Sequence, residues 1–298
     1  MAPAFIALDW GTTSFRAYMV DSTVRVLETV SAPERILSVG DGNFEAALER
    51  HIGGWDKALP VMAAGMITSR QGWIELPYVP CPASAADLAK VLHHHTTASG
   101  RRIAFATGLS YRSPDGVPDV MRSEETQVFG SLGSGISHFV TPGTHSKWIT
   151  VDGERIGQFT TYVTGEVFAA LKNHTILGRL MQDGPDDEEA FARGVRAALA
   201  DPAGFLHRIF SARSLGLFGE IAPESIASYL SGQVIGTEVA HAIRDNPRHA
   251  EYAVLASQGI GGRYVKAIEL AGLKVRYGDP EAIVKGLAII ARHAGLIP

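Results

Sequence analysis

The stretch Phe5–Ala17, FIALDWGTTSFRA, ends an apolar segment on a carboxylate and follows it with a glycine and hydroxyl side chains. Phe5 to Leu8 has the continuous apolar character of a strand covered on both faces. Asp9 stands at the end of that strand, and Gly11 permits backbone conformations that other residues resist. Two structures fit this pattern: a β-hairpin whose turn is capped by Asp and Thr side chains, or a phosphate-binding loop beside a metal-binding carboxylate.

A second stretch, FVTPGTHSKWITVD at residues 139–152, repeats this arrangement. Aligning Gly143 with Gly11 places a threonine next in both copies, and alternating strand residues follow each. Both copies then reach an acidic turn and a further strand, at 24–30 and 155–162. The repeat predicts two strand–turn–strand–turn–strand units, and an internal duplication fixes the architecture of the chain.

Composition narrows the class of protein. The 298 residues are enough for one large domain or two medium ones, and 46% hydrophobic with 19% charged residues is typical of a soluble globular chain. The net charge of −4 disfavours a nucleic-acid partner. The single cysteine, Cys81, excludes an intramolecular disulfide, and its flanking prolines favour a packed loop with a buried thiol. We find no apolar run of the ~18 residues that a membrane span needs and no secretory signal, so a cytoplasmic location is expected.

Strand and helix patterns alternate along the chain, which predicts an α/β fold of mixed sheets flanked by helices. The duplication places the domains at 1–134 and 135–298, with Gly133-Ser134-Gly135 as the hinge. The triplet His93–His95 is predicted to be the solvated end of a surface helix, in preference to a metal site. Further strands are predicted at 59–64, 102–107, 252–257 and 273–277, and helices at 44–52, 85–92, 124–132, 165–172, 187–200, 203–210, 224–243, 262–271 and 280–293.

The common nucleotide and hydrolase motifs are absent from the sequence: it has no Gly-Lys dipeptide for a P-loop and no Gly-x-Ser-x-Gly elbow. Gly259–Tyr264, GIGGRY, follows a predicted strand and opens a predicted helix, as a dinucleotide fingerprint does. Tyr264 occupies its third glycine position, and too little chain follows for the usual strand order. The remaining interpretations are a glycine-rich turn on which adenosine lies, or a tight turn without a ligand.

A third segment, MRSEETQVFG at 121–130, combines a helix start with two acids. Ser123 is predicted to be the N-cap, and Glu124 and Glu125 suit the first turn because the helix dipole favours negative charge there. That is a complete structural explanation. The position of these acids, shortly before the second glycine loop, supports another, since a kinase needs a carboxylate to accept the acceptor's proton and others to hold magnesium.

Together these residues resemble the sugar kinases related to actin and the heat-shock chaperone ATPases, and among them the 2-dehydro-3-deoxygalactonokinase family. The resemblance implies two ribonuclease-H-like domains around a nucleotide cleft, with ATP and Mg²⁺ as cofactors. It also implies ATP-dependent phosphorylation of the 6-hydroxyl of 2-dehydro-3-deoxygalactonate. The segments that carry it are IALDWGTTSFRA, VMAAGMITSRQGW, MRSEETQ, PGTHSKW, TGEVFAALKNHTILG and YLSGQVIGTEVA.

The resemblance also assigns roles to single residues. Mg²⁺ is held by Asp9, with Glu124 as a second candidate, and Glu124 is preferred to Glu125 as the catalytic base, where many relatives carry an aspartate. Lys147 either adds charge to the phosphate site or is a solvated strand lysine. Arg122 pairs bidentately with the carboxylate of the sugar acid. The phosphate residues are Gly11, Thr12, Thr13, Gly143, Thr144 and His145; the adenosine residues are Gly259, Gly261 and Gly262; the acceptor residues are Ser69, Gln71, Trp73 and Arg122.

Other functions stay open at this stage. A kinase of another sugar or sugar acid shares the fold, because a few contacts decide the acceptor. A non-enzymatic ATP-binding regulator and a dinucleotide oxidoreductase are the alternatives from other classes. The expected partners are ATP and a small sugar acid, without nucleic acid or membrane, and a homodimer is compatible with the sequence.

Overall fold

The computed structural model describes residues 2–12, 14–244 and 250–298, and all elements below lie in those ranges. The strands are β1 (Pro3–Trp10), β2 (Phe15–Asp21), β3 (Val26–Ala32), β4 (Val61–Ala64), β5 (Val79–Pro80), β6 (His93–Thr96), β7 (Arg102–Phe105), β8 (Leu109–Arg112), β9 (Pro118–Met121), β10 (His138–Thr141), β11 (Ser146–Asp152), β12 (Arg155–Tyr162), β13 (Glu251–Val254) and β14 (Lys274–Tyr277). The helices are α1 (Phe44–Ile52), α2 (Ala85–Ala89), α3 (Glu124–Ser131), α4 (Thr164–His174), α5 (Glu188–Ala200), α6 (Phe205–Arg208), α7 (Ser211–Leu217), α8 (Ile226–Ala242), α9 (Gln258–Leu270) and α10 (Ala282–His293).

The first predicted strand unit forms half of a six-stranded mixed sheet in the order β3–β2–β1–β4–β7–β6. β1 pairs antiparallel with β2 and parallel with β4, which in turn pairs parallel with β7. Every residue of β1 from Phe5 to Trp10 is buried, as the apolar run predicts. The end of β1 therefore lies inside the fold, where a carboxylate is costly unless it is paired.

The second predicted strand unit repeats this order in the sheet β12–β11–β10–β13–β14, in which β10, β13 and β14 run parallel. In each sheet a three-stranded meander is followed by two parallel strands whose connections contain helices. The duplication predicted from the two glycine loops is therefore confirmed, and so is the mixed α/β class with ribonuclease-H-like topology. Among the described helices, none combines the length and the apolar character required to span a bilayer.

The chain divides into two compact units, and the first is discontinuous in sequence. It runs to Gly135 and also contains Thr150–Phe159 and Asp279–Pro298, whereas the second consists of Ile136–Ile149 and Thr160–Gly278. The first boundary lies one residue from the predicted one, but the final helix groups with the N-terminal unit, unlike the predicted domain 135–298. The hairpin tip within 150–159 does so as well, because Ile156 bridges Ala83 in an antiparallel pair.

Glycines explain why α10 belongs to the first unit. A Cβ on Gly130 of α3 would lie 1.9 Å from the carbonyl oxygen of Ala282, and one on Gly286 of α10 would lie 1.8 Å from that of Thr126. The two helix backbones therefore touch, which only glycine permits at these positions. A close backbone contact of the same kind joins α5 and α8 in the second unit, where a Cβ on Gly232 would lie 2.1 Å from the carbonyl oxygen of Phe191.

Several local predictions are wrong. The triplet His93–His95 forms the edge strand β6, paired antiparallel with β7, because strand pairing overrides the weak helix pattern after α2 ends at Ala89. Helix 203–210 is interrupted, with α6 ending at Arg208 and α7 beginning at Ser211. Cys81 is half-buried, and its pKa is raised to about 11, by burial first and then by the charge of Glu125, so the thiol is unreactive at neutral pH.

The small sheet β5–β8–β9 was not predicted, since its strands have only two to four residues. Its importance is positional. β9 leads directly into α3, and a Cβ on Gly108 would lie 2.0 Å from the carbonyl oxygen of Met121. This close contact fixes the segment that carries Arg122 and the two acids of α3.

Candidate active site

Asp9 ends β1 with a buried carboxylate held by two partners. Its Oδ1 accepts a hydrogen bond from the Ser123 hydroxyl at 3.2 Å, and its Oδ2 lies 3.2 Å from Nη2 of Arg16. Burial raises the pKa of Asp9, and the positive charge of Arg16 and the hydrogen bond from Ser123 oppose that rise. In the β1–β2 turn the Gly11 amide donates to the Ser14 carbonyl at 3.0 Å. Among the described residues of this hairpin, the partner of the Asp9 carboxylate is Arg16 of β2, and the Ser123 hydroxyl reaches it from the start of α3.

Gly65 is a residue of the candidate site that the sequence reasoning missed, although it lies in a segment that carries the family resemblance. Its φ of 106° is in the left-handed region. A Cβ there would lie 2.6 Å from the carbonyl oxygen of Trp10 and 3.2 Å from Oδ1 of Asp9. Only glycine lets the chain after β4 pass this closely over the acid.

Asp9 is the carboxylate of the candidate site that could hold a magnesium ion in the way kinases do. No group of three or more His, Cys, Asp and Glu side chains suited to a metal occurs in the part of the chain that the structure describes. Mg²⁺ in phosphoryl transfer takes one or two carboxylates and completes its shell with water and phosphate oxygens. A single buried carboxylate therefore suffices. Glu124, the second predicted ligand, accepts a hydrogen bond from the Arg122 amide at 2.8 Å.

The two acids of α3 have different environments. Glu125 is fully buried; both of its oxygens accept from the Ser123 amide, at 3.0 and 2.9 Å, and the Thr126 hydroxyl donates to it at 3.0 Å. Burial first, and the charge of Glu124 second, raise the pKa of Glu125 to about 8. Glu125 is therefore protonated at neutral pH, whereas Glu124 is half-buried. This difference favours Glu124 as the acceptor of a proton.

Ser123 departs from its predicted capping role. It occupies the N-cap position of α3 with a φ of 93°, rare for a residue with a side chain, and makes no capping hydrogen bond. Its hydroxyl instead donates to Asp9. The positive φ turns Ser123 so that one residue joins the end of β1 to the start of α3.

Arg122 is buried and its guanidinium is occupied within the protein. Nη1 donates to the carbonyl and hydroxyl oxygens of Thr68 at 2.6 and 2.7 Å, and Nη2 donates to the Leu76 carbonyl at 3.2 Å. The guanidinium carbon lies 4.3 Å from the centre of the Tyr78 ring. Arg122 therefore anchors the segment after β4, and its two Nη groups are already engaged.

The predicted acceptor residues separate into two groups. Ser69, Gln71 and Arg122 line one cavity of about 630 Å³ in the first unit. Trp73 does not line it: its ring stacks on Phe44 at 6.0 Å and meets Phe105 edge-on at 5.4 Å, on the hydrophobic core. This placement favours a structural role for Trp73.

The second glycine loop is fixed by the start of α4. The Glu166 amide donates to the Thr144 carbonyl at 3.2 Å, and the Glu166 carboxylate lies 2.9 Å from Nε2 of His145. A Cβ on Gly165 would lie 2.5 Å from the carbonyl oxygen of Gly143. Lys147, two residues after His145, is only 5% exposed, so the prediction that it is a solvated strand lysine is wrong. In the first loop, Gly11 and the exposed Thr12 directly follow β1, and Thr13 lies outside the described residues.

A buried acid, Glu238 of α8, connects that loop to α9. Its Oε1 accepts hydrogen bonds from the Ser146 hydroxyl and the Trp148 indole, and its Oε2 accepts one from the Tyr264 hydroxyl, each at 2.7 Å. Glu238 is 3% exposed. Two of the segments that carry the family resemblance, PGTHSKW and YLSGQVIGTEVA, therefore meet at this carboxylate.

The predicted adenosine glycines lie within a helix and not in a turn before it. α9 begins at Gln258 and not at 262, which places Gly259, Gly261 and Gly262 in its first two turns. Gly259 and Gly262 line a cavity of about 370 Å³ together with Phe191, Lys266 and Tyr277. A Cβ on Gly262 would lie 3.1 Å from the Tyr277 hydroxyl. The bare helix surface and this aromatic ring form a site suited to a flat, polar heterocycle.

The fold and these half-sites define a class: two-unit α/β proteins of the actin-like kind. The activator of 2-hydroxyisocaproyl-CoA dehydratase from Clostridium difficile, solved with bound ADPNP, has the same fold at a TM-score of 0.53 and 9% identity, with 98% of this chain and 94% of that one covered. At that identity the likeness concerns the fold alone.

The 2-keto-3-deoxy-galactonokinase family matches residues 9–290, and the chain belongs to this family. A protein of Rhizobium meliloti (strain 1021) named as a 2-dehydro-3-deoxygalactonokinase is 35% identical, with 97% of this chain and 96% of that one covered. The 2-dehydro-3-deoxygalactonokinase of Escherichia coli (strain K12) is 32% identical, with 92% of each covered. A crystal structure from Sinorhizobium meliloti described by the same activity superposes with a TM-score of 0.89 at 33% identity, over 97% of this chain and 98% of that one.

Proposed function

We propose that this chain, a sugar kinase by its family, transfers the γ-phosphoryl group of ATP to the 6-hydroxyl of 2-dehydro-3-deoxygalactonate. The observation that carries the proposal is the hydrogen bond between Asp9 and Ser123. It joins the acid at the end of β1 to the start of α3, where Glu124 lies, and Arg122 beside them lines the acceptor cavity. A magnesium-binding acid, a proton acceptor and a cavity for a small polar molecule thus occur together in one unit.

Asp9 would hold Mg²⁺, which when bound neutralises charge on the β- and γ-phosphates. The protein's part is to keep the carboxylate ionised and oriented. Arg16 and Ser123 do this from opposite sides, one by its charge and one by its hydroxyl. Both offset the cost of burying the acid.

Glu124 would accept the proton of the acceptor hydroxyl. In a loose transition state the proton leaves late, so orientation matters more than basicity. The hydrogen bond from the Arg122 amide supplies that orientation. Glu125, protonated near neutral pH, would serve to hold the first turn of α3 through the Ser123 amide.

The remaining contacts are divided between acceptor and nucleotide. Ser69 and Gln71 would bind acceptor hydroxyls, while Arg122 positions their segment through Thr68. In the first unit, Gly11 and Thr12 are the proposed phosphate-binding residues. In the second unit they are Gly143, Thr144 and His145, with charge from Lys147, and adenosine would lie on Gly259, Gly261 and Gly262 beside Tyr277.

The test is ADP release with ATP, magnesium and a panel of sugar acids and neutral sugars, with the product identified by mass. We expect phosphorylation of 2-dehydro-3-deoxygalactonate, with Asp9→Asn and Glu124→Gln losing most of the turnover while both variants stay folded. Glu125→Gln is the matched control and should keep substantial turnover. Preference for another acceptor would indicate a kinase of a different sugar. ATP binding without any phosphorylated product would indicate a regulator.

Location and assembly complete the proposal. We place the chain in the cytoplasm, where ATP is supplied, and exclude nucleic acid as a partner because the net charge is −4. A homodimer is supported by large apolar side chains exposed on α6, between α6 and α7, at the end of α7 and directly after it, since such surfaces mark interfaces. These side chains are Leu206, Phe210, Leu217 and Phe218. Sedimentation of the chain in solution tests whether it forms a dimer.

A further inference from the structure

We infer that Arg70 is the residue that binds the carboxylate of the acceptor and selects acids over neutral sugars. This inference rests on the proposed function, because it names a determinant of the acceptor in the same cavity. It replaces the role that the sequence gave to Arg122. Two observations lead to it: the engagement of Arg122 within the protein and the position of Arg70 on the cavity wall.

Arg122 is poorly placed to bind a ligand carboxylate with two parallel hydrogen bonds. Nη1 already has two acceptors on Thr68, Nη2 has the Leu76 carbonyl, and the Tyr78 ring covers one face of the guanidinium. Nε is enclosed by the protein without a hydrogen-bond partner. Binding a carboxylate in the bidentate manner would require Arg122 to release contacts that hold the segment after β4.

Arg70 has the opposite character. Its side chain is exposed, it lines the same cavity as Ser69 and Gln71, and within the described chain it has no hydrogen-bond or ion-pair partner. A guanidinium presents a planar set of donors that matches a carboxylate. Arg70 can therefore form a charge-assisted pair without losing an existing contact.

The backbone around Arg70 is fixed. The Gly72 amide donates to the Ser69 carbonyl at 2.8 Å, and the Thr68 hydroxyl donates to the carbonyls of Gly65 and Ala106, each at 3.1 Å. A Cβ on Gly72 would lie 2.3 Å from the carbonyl oxygen of Ile67. Arg70 thus extends from a turn whose backbone is already fixed. When the acceptor binds, only the Arg70 side chain has to become ordered, which keeps the entropic cost of binding small.

The other charged groups on the cavity wall agree with an anionic ligand. They are Arg122 and Glu75, which together with Arg70 leave one net positive charge. Glu75 is exposed and can accept hydrogen bonds from acceptor hydroxyls. Ser69, whose hydroxyl donates to the Met66 carbonyl at 2.7 Å, keeps lone pairs for the same purpose.

The experiment compares the acid with its carboxamide, which has the same shape without the charge. In Arg70→Gln, we expect kcat/KM for the acid to fall roughly 10- to 100-fold, with little change for the amide and for the KM of ATP. Arg70→Lys should recover part of the loss, since it restores charge without the planar donors. Arg102→Gln, an exposed arginine on β7, is the matched control and should change neither substrate.

Equal losses for acid and amide in Arg70→Gln would overturn the inference, as would a selective loss of the acid in Arg122→Gln with none in Arg70→Gln. Binding of the acid is also measured by calorimetry without ATP. Weaker acid binding by Arg70→Gln supports the inference even when no transfer is detected, whereas unchanged binding overturns it. If the unsubstituted protein binds the acid but transfers no phosphate to it, the proposed function alone is contradicted. If it does not bind the acid, the proposed function and the inference about Arg70 are both contradicted.

Discussion

At the scale of single residues, Glu238 shows how a buried acid can join segments that lie far apart in sequence. Three of its donors come from β11 and α9, close to the second glycine loop and to Gly259–Gly262. Ser146 lies just after that loop, and Tyr264 lies two residues after Gly262. Glu238 thus joins to α8 both segments to which nucleotide binding is proposed, so its proposed role is to position them.

Glu238 should also make stability depend on pH. Burial raises its pKa above the ordinary 4.5, and the hydrogen bonds it accepts oppose that rise. Above pH 4.5 the unfolded chain loses this proton more readily than the folded one, so the group's contribution to the free energy of unfolding falls as pH rises. In Glu238→Gln that decline is absent, because glutamine does not ionise. Its side-chain oxygen can still accept from Ser146 and Trp148, while its amide nitrogen donates to the oxygen of the Tyr264 hydroxyl.

The measurement is urea unfolding of both chains between pH 4.5 and 8. The stability of Glu238→Gln relative to the natural chain should increase with pH. Glu238→Ala, by contrast, should be less stable at every pH, because each buried donor left unpaired costs about 1–3 kcal/mol. A pH-independent difference between the Gln variant and the natural chain would show that folding does not raise the pKa of Glu238.

At the scale of elements, close backbone contacts at glycines position the loops. α4 approaches the second phosphate loop at Gly165, and the chain after β4 approaches Asp9 at Gly65. The contact at Gly165 accounts for one segment of the family resemblance, TGEVFAALKNHTILG, to which no ligand-binding side chain is assigned. A glycine motif in this chain therefore often marks where two backbones touch.

Gly165→Ala should raise the KM for ATP several-fold, with a smaller change in the KM for the acceptor. Its Cβ would lie 2.5 Å from the Gly143 carbonyl oxygen and 2.9 Å from Cα of Thr144, so α4 or the phosphate loop must move. Steady-state kinetics with each substrate varied in turn measure the effect. Gly54→Ala is the matched control, because a Cβ there meets nothing within 4 Å. Equal increases in both KM values would indicate a general loss of stability instead.

Local sequence patterns predicted most of the strands and helices. The features that they did not predict depend on contacts between residues far apart in sequence. The apolar run of β1 and the alternation after each glycine loop are properties of neighbouring residues, so the duplicated sheets could be read directly. The role of Arg122 could not, because its partners Thr68 and Leu76 are about fifty residues away in sequence. β6 was mistaken for the end of a helix for the same reason: its pairing with β7 decides its structure.

At the scale of the whole molecule, the first unit is completed only by the last helix of the chain. α10 packs on α3, whose first turn holds Glu124, and the two helices meet at Gly130 and Gly286. The candidate catalytic acid therefore depends on residues more than 150 positions later in the sequence. The domain boundary predicted from the duplication does not reveal this dependence, since the unit is assembled from three separate segments.

Gly286→Ala should destabilise the first unit selectively. The new Cβ would lie 1.8 Å from the Thr126 carbonyl oxygen, so α10 must move away from α3, and overpacking of this kind costs typically 1–3 kcal/mol. Hydrogen exchange of the full chain measures it: amides of α3 and β1 should exchange faster, with α5 and α8 as the internal reference. His293→Ala, at an exposed position of α10, is the control and should leave exchange unchanged. Uniformly faster exchange in both units would contradict the assignment of α10 to the first, because the disturbance would then not be confined to the helix that Gly286 touches.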